Sequence, residues 1–176
     1  MSRLHVLLLV LAACGSNEHH EAGPPDVLIQ MDAPAFSMTC TGACTTTALT
    51  AAFQVTRVLD HAYFGITAAD NSLHVEAYKG GATGCPTMNS PTPEYTLVVG
   101  HVIRPTSTMT STSTASILDY QGDLLGGPLG AQATAVTLTP VAASGDTFIA
   151  FDVMMTFSAG TVMGHLYATH CTSLDG

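Results

Sequence analysis

The sequence predicts an all-β domain, an antiparallel β-sandwich or small barrel of about seven or eight strands. Three observations carry this. Apolar and polar residues alternate at period two in several runs, and no stretch sustains the i, i+3, i+4, i+7 spacing of a helix. Ser and Thr are abundant while Lys and Glu are rare, a composition that suits strands better than helices. Clusters of Gly, Pro, Asn and Asp punctuate the runs at hairpin-like intervals.

The strand-like runs follow in order. Residues 47–56 and 59–67 come first, and Asp70-Asn71-Ser72 then reads as a tight turn before Leu73. Leu73, Val75 and Ala77 alternate with His74, Glu76 and Tyr78, which predicts one buried and one wet face. Lys79-Gly80-Gly81 ends that strand and opens a Cys/Pro loop reaching Pro93. In 95–103, Tyr95, Leu97, Val99, His101 and Ile103 are expected on one face, with Thr96, Val98, Gly100 and Val102 on the other. The low-complexity 106–116 reads equally as an exposed Thr-rich strand or a loop. Residues 122–130 lack the order and following helix of a phosphate loop, so a wide turn is expected. After a run at 134–139, the strongest strand is 147–157, where Ile149, Phe151, Val153, Met155 and Phe157 share a face. Ser144-Gly145-Asp146 and Ser158-Ala159-Gly160 bracket it, and 161–170 closes the set.

Cysteine usage bears on the compartment. Besides Cys14 the chain has Cys40, Cys44, Cys85 and Cys171, an even number that implies disulfides in an oxidising environment. Three connectivities are open. Cys40 and Cys44 enclose only Thr41-Gly42-Ala43, where a turn brings them into bridging range, which favours Cys40–Cys44 with Cys85–Cys171. The second bridge would close a loop of more than about 80 residues and stabilise by roughly 4 kcal/mol in the chain-entropy picture. Metal binding by Cys40 and Cys44 is the rival, but the remaining cysteines are too far apart in sequence to supply the usual second close pair.

The N-terminus carries the most specific signal. Arg3 precedes the unbroken apolar run Val6-Leu7-Leu8-Leu9-Val10-Leu11-Ala12-Ala13, the pattern of an export signal. The run is far short of the about 20 apolar residues a membrane span needs. Leu11-Ala12-Ala13-Cys14 resembles the lipobox of bacterial lipoproteins. The resemblance implies that residues 1–13 are cleaved, that the Cys14 thiol carries a diacylglycerol, and that Gly15 directs the protein to the outer membrane. More than one acyl chain is needed for stable anchoring. The polar, Pro-containing stretch through residue 36 then reads as a flexible tether, and 37–176 as the β-rich domain. The closing segment 160–171, the strand before it and the Cys85 loop resemble small β-rich envelope lipoproteins of unknown function. That likeness implies a fold and no activity.

Charge excludes some partners. Loss of Arg3 takes Lys and Arg from 4 to 3 against 13 Asp and Glu, moving the formal charge from −9 to −10. With only Arg57, Lys79 and Arg104 left, nucleic acid and anionic lipid surfaces are poor partners.

No chemistry stands out. His19-His20 between Glu18 and Glu21 sits in the tether, without fixed geometry for a metal. His61, His74 and His101 lie on different strands and would form a Zn or Cu site only by converging, whereas His165 and His170 face opposite sides of one strand. Ordinary surface or hydrogen-bonded core histidines are the plainer reading. Asp119 and Asp123 flank Tyr120-Gln121-Gly122 and would hold Ca²⁺ only loosely, and Glu94 and Asp152 are an acid–base pair only if the fold brings them together. G-x-S-x-G, S-x-x-K and H-E-x-x-H are absent. The eight methionines, Met154-Met155 and Met163 among them, read as core filler.

The expectation is therefore a lipid-anchored envelope protein, a non-enzymatic binding or structural module without catalytic residues, cofactor or metal. Its contacts would be the membrane, through Cys14, and an unidentified protein or small molecule. The alternatives are a metal- or small-ligand-binding β domain, using the histidines or a barrel mouth, and a hydrolase with dispersed catalytic residues.

Overall fold

The computed structural model describes residues 36–106 and 113–176. The expected leader, Cys14, the expected tether up to residue 35 and the middle of the Thr-rich segment lie outside the described residues. Nine strands form among them: β1 (Ala48–Ala52), β2 (Thr56–Leu59), β3 (His61–Ile66), β4 (Leu73–Lys79), β5 (Tyr95–Val102), β6 (Thr114–Asp119), β7 (Gly130–Ser144), β8 (Phe148–Phe157) and β9 (Gly160–His170).

Of the two architectures expected, the chain adopts the barrel. Strands β3 to β9 run as an antiparallel meander, each bonded to the next, and β9 returns to β3. Seven alternating strands begin and end in the same direction, so the closing pair must be parallel. Tyr63 pairs with Thr169 and Phe64 with His170 in that sense, and the Cys171 N–H donates to Phe64 O at 2.8 Å. This parallel seam is a departure from the wholly antiparallel expectation.

Strand β1 fills the gap the seam leaves. It pairs antiparallel with the first half of β9 on one side and with β2 on the other. The expected run 47–56 is thus a strand and a sharp turn at residues 53–55, and 59–67 belongs to β2 and β3, which are separated only by Asp60. Gly164 makes the wedge possible. Its φ is +137°, and a Cβ there would sit 2.2 Å from Ala48 O, on the backbone of the inserted strand.

The interior is filled by side chains, as a barrel of this size demands. Leu49, Phe64, Leu97, Ile117, Phe151 and Met155 are among the fully buried residues, each worth about 1.5–3 kcal/mol of burial. Ile149, Phe151, Val153, Met155 and Phe157 all point inward, as their alternation predicts. The space left among Val75, Val99, Leu138, Phe151 and their neighbours is only about 10 Å³, apolar and no larger than one water.

Strand β5 corrects one expectation. Leu73 pairs with Val102 but Val75 with Val99, so Gly100 and His101 together oppose the single residue His74. This two-against-one bulge reverses the parity of the strand. Val102 is consequently buried, while His101 and Ile103, expected to share a face with Tyr95, Leu97 and Val99, turn to solvent. His101 takes the strain with φ at +55°, a conformation His tolerates better than most side chains.

Both disulfides are Cys40–Cys44 and Cys85–Cys171, with Cα separations of 5.4 and 5.5 Å. The first staples a 3-10 turn, Gly42–Thr45, onto the outside of the barrel, beside Phe148 and Tyr167 stacked 5.5 Å apart. The second ties the β4–β5 loop to the residue that follows β9.

Gly164→Val should lower stability by about 3 kcal/mol or more, since it imposes both a backbone clash and a disfavoured φ. Urea unfolding followed by far-ultraviolet circular dichroism checks this, with the exposed Met163→Val as the near-neutral control.

Candidate binding cleft

The alternation of β4 predicts His74, Glu76 and Tyr78 on a wet face, and they do point away from the core. Yet Tyr78 is only 7% exposed, and Thr96, outward on β5, is 4% exposed. The covering comes from the loop after Lys79. Its residues from Gly81 to Pro93 fold back over the outer surface of β3–β6 and leave between loop and sheet a cleft of about 420 Å³, within the size range of small-molecule sites.

Strand register sets the floor. Tyr63 on β3 lies directly opposite Glu76 on β4, which lies opposite Val98 on β5. One row along, Tyr78 opposes Thr96, and Thr96 opposes Leu118. Tyr120 stands at the mouth, where its N–H donates to Glu94 O at 3.0 Å. The roof is stiffened by Pro86, Pro91 and Pro93, pinned by the Cys85–Cys171 bridge, and held again where the Ser173 hydroxyl donates to Pro86 O. The cleft is thus built from rigid parts, a sheet below and a cross-linked loop above.

Its electrostatics centre on one group. Among the described residues, Glu76 is the sole ionisable acid or base lining the cleft apart from the tyrosines. Burial pushes its carboxyl up, but the hydrogen bonds from His74 Nε2 at 2.7 Å and from the Tyr78 hydroxyl outweigh that, and the net shift is downward. The same contacts act oppositely on Tyr78, whose phenol is raised by burial and by the Glu76 carboxylate, while burial alone raises Tyr63. At neutral pH the cleft therefore presents a carboxylate among neutral phenols. The rings of Tyr63 and Tyr78 lie 6.3 Å apart at 47°, and His61 stacks on Tyr78 at 5.5 Å.

The residues weighed from the sequence are placed differently. All five described histidines are matched with carboxylates: His61 with Asp60, His74 with Glu76, His101 with Asp70, His165 with Asp152 and His170 with Asp175. His61, His74 and His101 do not converge, and among the described residues no three His, Cys, Asp or Glu side chains gather as a metal ligand set. Asp152 is engaged by His165, while Glu94 sits at the base of the roof loop with its N–H on Lys79 O.

Asp119 is a structural clamp. It is 2% exposed, and its carboxylate accepts the N–H groups of Gln121, Gly122 and Leu125 at 3.1, 2.6 and 2.8 Å. That shapes the expected wide turn and sends Leu124 into the core. Asp123 joins Arg57 and the Tyr95 hydroxyl, the latter at 2.6 Å. The two acids thus serve different partners and do not form a shared calcium loop.

Tyr63, Glu76, Tyr78 and Tyr120 were not distinguishable as a site from sequence, because an alternating strand does not announce a roof over its polar face. The three prolines that follow Cys85 were the available signal. Comparison with protein-family models, curated proteins and solved structures returns no match.

Asp119→Ala should cost about 3 kcal/mol by removing three charge-assisted hydrogen bonds that hold the turn, with Asp119→Asn recovering part of it; denaturant unfolding measures both. Glu76 gives a pH prediction. Its folded pKa lies below its ordinary 4.5, so its contribution is fully present above that value and is lost as pH falls through the folded one. Stability measured from pH 7 downward should therefore show a shallower acid limb in Glu76→Gln than in the wild type. The residual limb belongs to carboxylates such as Asp123, held low by the Tyr95 hydroxyl, and Asp175, held low by the Ile66 N–H.

Proposed function

We propose that this chain is an exported, lipid-anchored envelope protein whose barrel is a non-enzymatic binding module, with the roofed cleft as its binding face. The observation that carries the reading is the cleft itself. A loop cross-linked by a long-range disulfide is held over a sheet face that would otherwise be solvated, and the cleft it leaves is bordered by an ionised carboxylate and three phenols. Such an arrangement suits recognition, because its parts are fixed before a ligand arrives.

Other features support the address. Two disulfides fit an oxidising compartment such as the periplasm or cell surface. The lipobox Leu11-Ala12-Ala13-Cys14 supplies the anchor, and Gly15 favours the outer membrane. The non-enzymatic part of the reading draws on the histidines. The Asp60–His61 pair has the geometry of an oriented base, but His61 Nε2 is buried and meets no hydroxyl or thiol among the described residues. A nucleophile must lie within hydrogen-bond reach of its base.

Labelled palmitate should enter the wild-type protein and not Cys14→Ser, and that variant should move from the membrane to the soluble fraction. Failure of wild type to take up label, or equal anchoring of the variant, would sink the lipoprotein reading.

A further inference from the structure

We infer that the cleft binds a small organic cation, an alkylammonium head paired with Glu76 and enclosed by Tyr63, Tyr78 and Tyr120. The inference rests on the binding-module reading and names its ligand class.

Four observations converge on it. First, among the described residues the lining carries one carboxylate and no Lys, Arg or His, so it offers an anionic ligand no cationic partner. The chain's three described Lys and Arg residues are all committed elsewhere: Arg57 to Asp123, Lys79 to Asp60 and Arg104 to Asp146. Second, Glu76 is held ionised despite being largely covered, with its side chain 21% exposed. His74 and Tyr78 take one contact on each carboxylate oxygen, Oε1 and Oε2, and each oxygen retains a second acceptor position. Third, Tyr63 is directly across the strand pair from Glu76, its ring tilted against that of Tyr78, and Tyr120 lines the mouth. Aromatic faces around a carboxylate attract a cation through the ring quadrupole while replacing the water it sheds. Fourth, the roof contributes Pro86, Pro91 and Pro93, apolar rings that cover the alkyl part of a ligand, beside the hydroxyls of Thr87, Ser90 and Thr92.

A metal ion fits this chemistry poorly. Glu76 is a single hard ligand here, and phenols kept neutral are weak partners for a divalent cation. A bulky soft cation is satisfied by one carboxylate and several ring faces.

The test uses the full chain in a non-ionic detergent, with calorimetric titration and nuclear magnetic resonance of the tyrosine rings. Three probes of similar size differ chiefly in charge: choline, its neutral isostere 3,3-dimethylbutan-1-ol, and the anion 3,3-dimethylbutanoate. The expected result is saturable choline binding that shifts the rings of Tyr63, Tyr78 and Tyr120, with the neutral isostere about tenfold weaker or worse and the carboxylate silent. Glu76→Gln should weaken choline about tenfold, and Tyr120→Leu several-fold. Tyr120 is 44% exposed, so the second variant keeps the fold where the first perturbs it. Equal binding of all three probes, or an unchanged affinity in both variants, would overturn the cation assignment and leave a binding cleft of other preference. No ring shift with any probe at millimolar concentration would overturn it as well, and palmitate labelling would still decide the anchor independently.

Discussion

An odd number of strands in a meander cannot close a barrel with antiparallel pairs alone. That constraint shapes the rest of this molecule. Strands β3 and β9 meet in parallel over only two residue pairs, and the barrel wall beyond them needs another element. The β1–β2 hairpin supplies it, bonded along β9 where β3 has diverged. The end of β9 is then the natural place for a covalent lock. Cys171 stands one residue past the seam, bonded through its N–H to Phe64 O and through sulfur to Cys85. Because Cys85 belongs to the β4–β5 loop, the lock that secures closure also draws that loop across the outer wall. The cleft is in this sense a by-product of closing the barrel.

Much of the fold was legible in the chain, and the failures have identifiable causes. The inward face of the 147–157 run is as the pattern requires, because β8 is flanked along its whole length by β7 and β9, while Phe148 and Ala150 on its other face are covered beside Cys40 and Cys44. The alternation of 95–103 misleads after Val99. Gly100 and His101 share one register position, and period-two counting has no way to register a bulge. Strand β7 spans Gly130–Ser144, far beyond the 134–139 visible in sequence, and it carries Pro140 at a second irregularity. There a missing N–H costs little. The cysteine pairing was readable because one pair is separated by three residues and leaves the other no choice. The cleft was not readable, since its walls come from four strands and a loop that only the tertiary fold superposes.

The polar residues show a consistent division. The described histidines, arginines and lysine pair with carboxylates at strand ends and on the outer wall, where such contacts fix geometry but contribute modestly to stability. Asp119 is the exception, buried and saturated by backbone amides at the end of β6. Glu76 is intermediate, covered but with unused acceptor capacity. In a chain with so large an excess of acid, a carboxylate that is shielded and still receptive is the one whose environment differs most from the rest.

The distribution of aromatic residues has an optical consequence. The chain contains no tryptophan and five tyrosines, of which Tyr63, Tyr78 and Tyr120 border the cleft. Three of its five tyrosine emitters therefore sit in the neighbourhood of Glu76, with Tyr95 and Tyr167 elsewhere. A hydrogen-bonded phenol beside a carboxylate is quenched, so Tyr78 should be dim and Tyr63 and Tyr120 comparatively bright. The protein thus carries an intrinsic fluorophore set concentrated at one place on its surface, and anything that enters that place changes the light it gives.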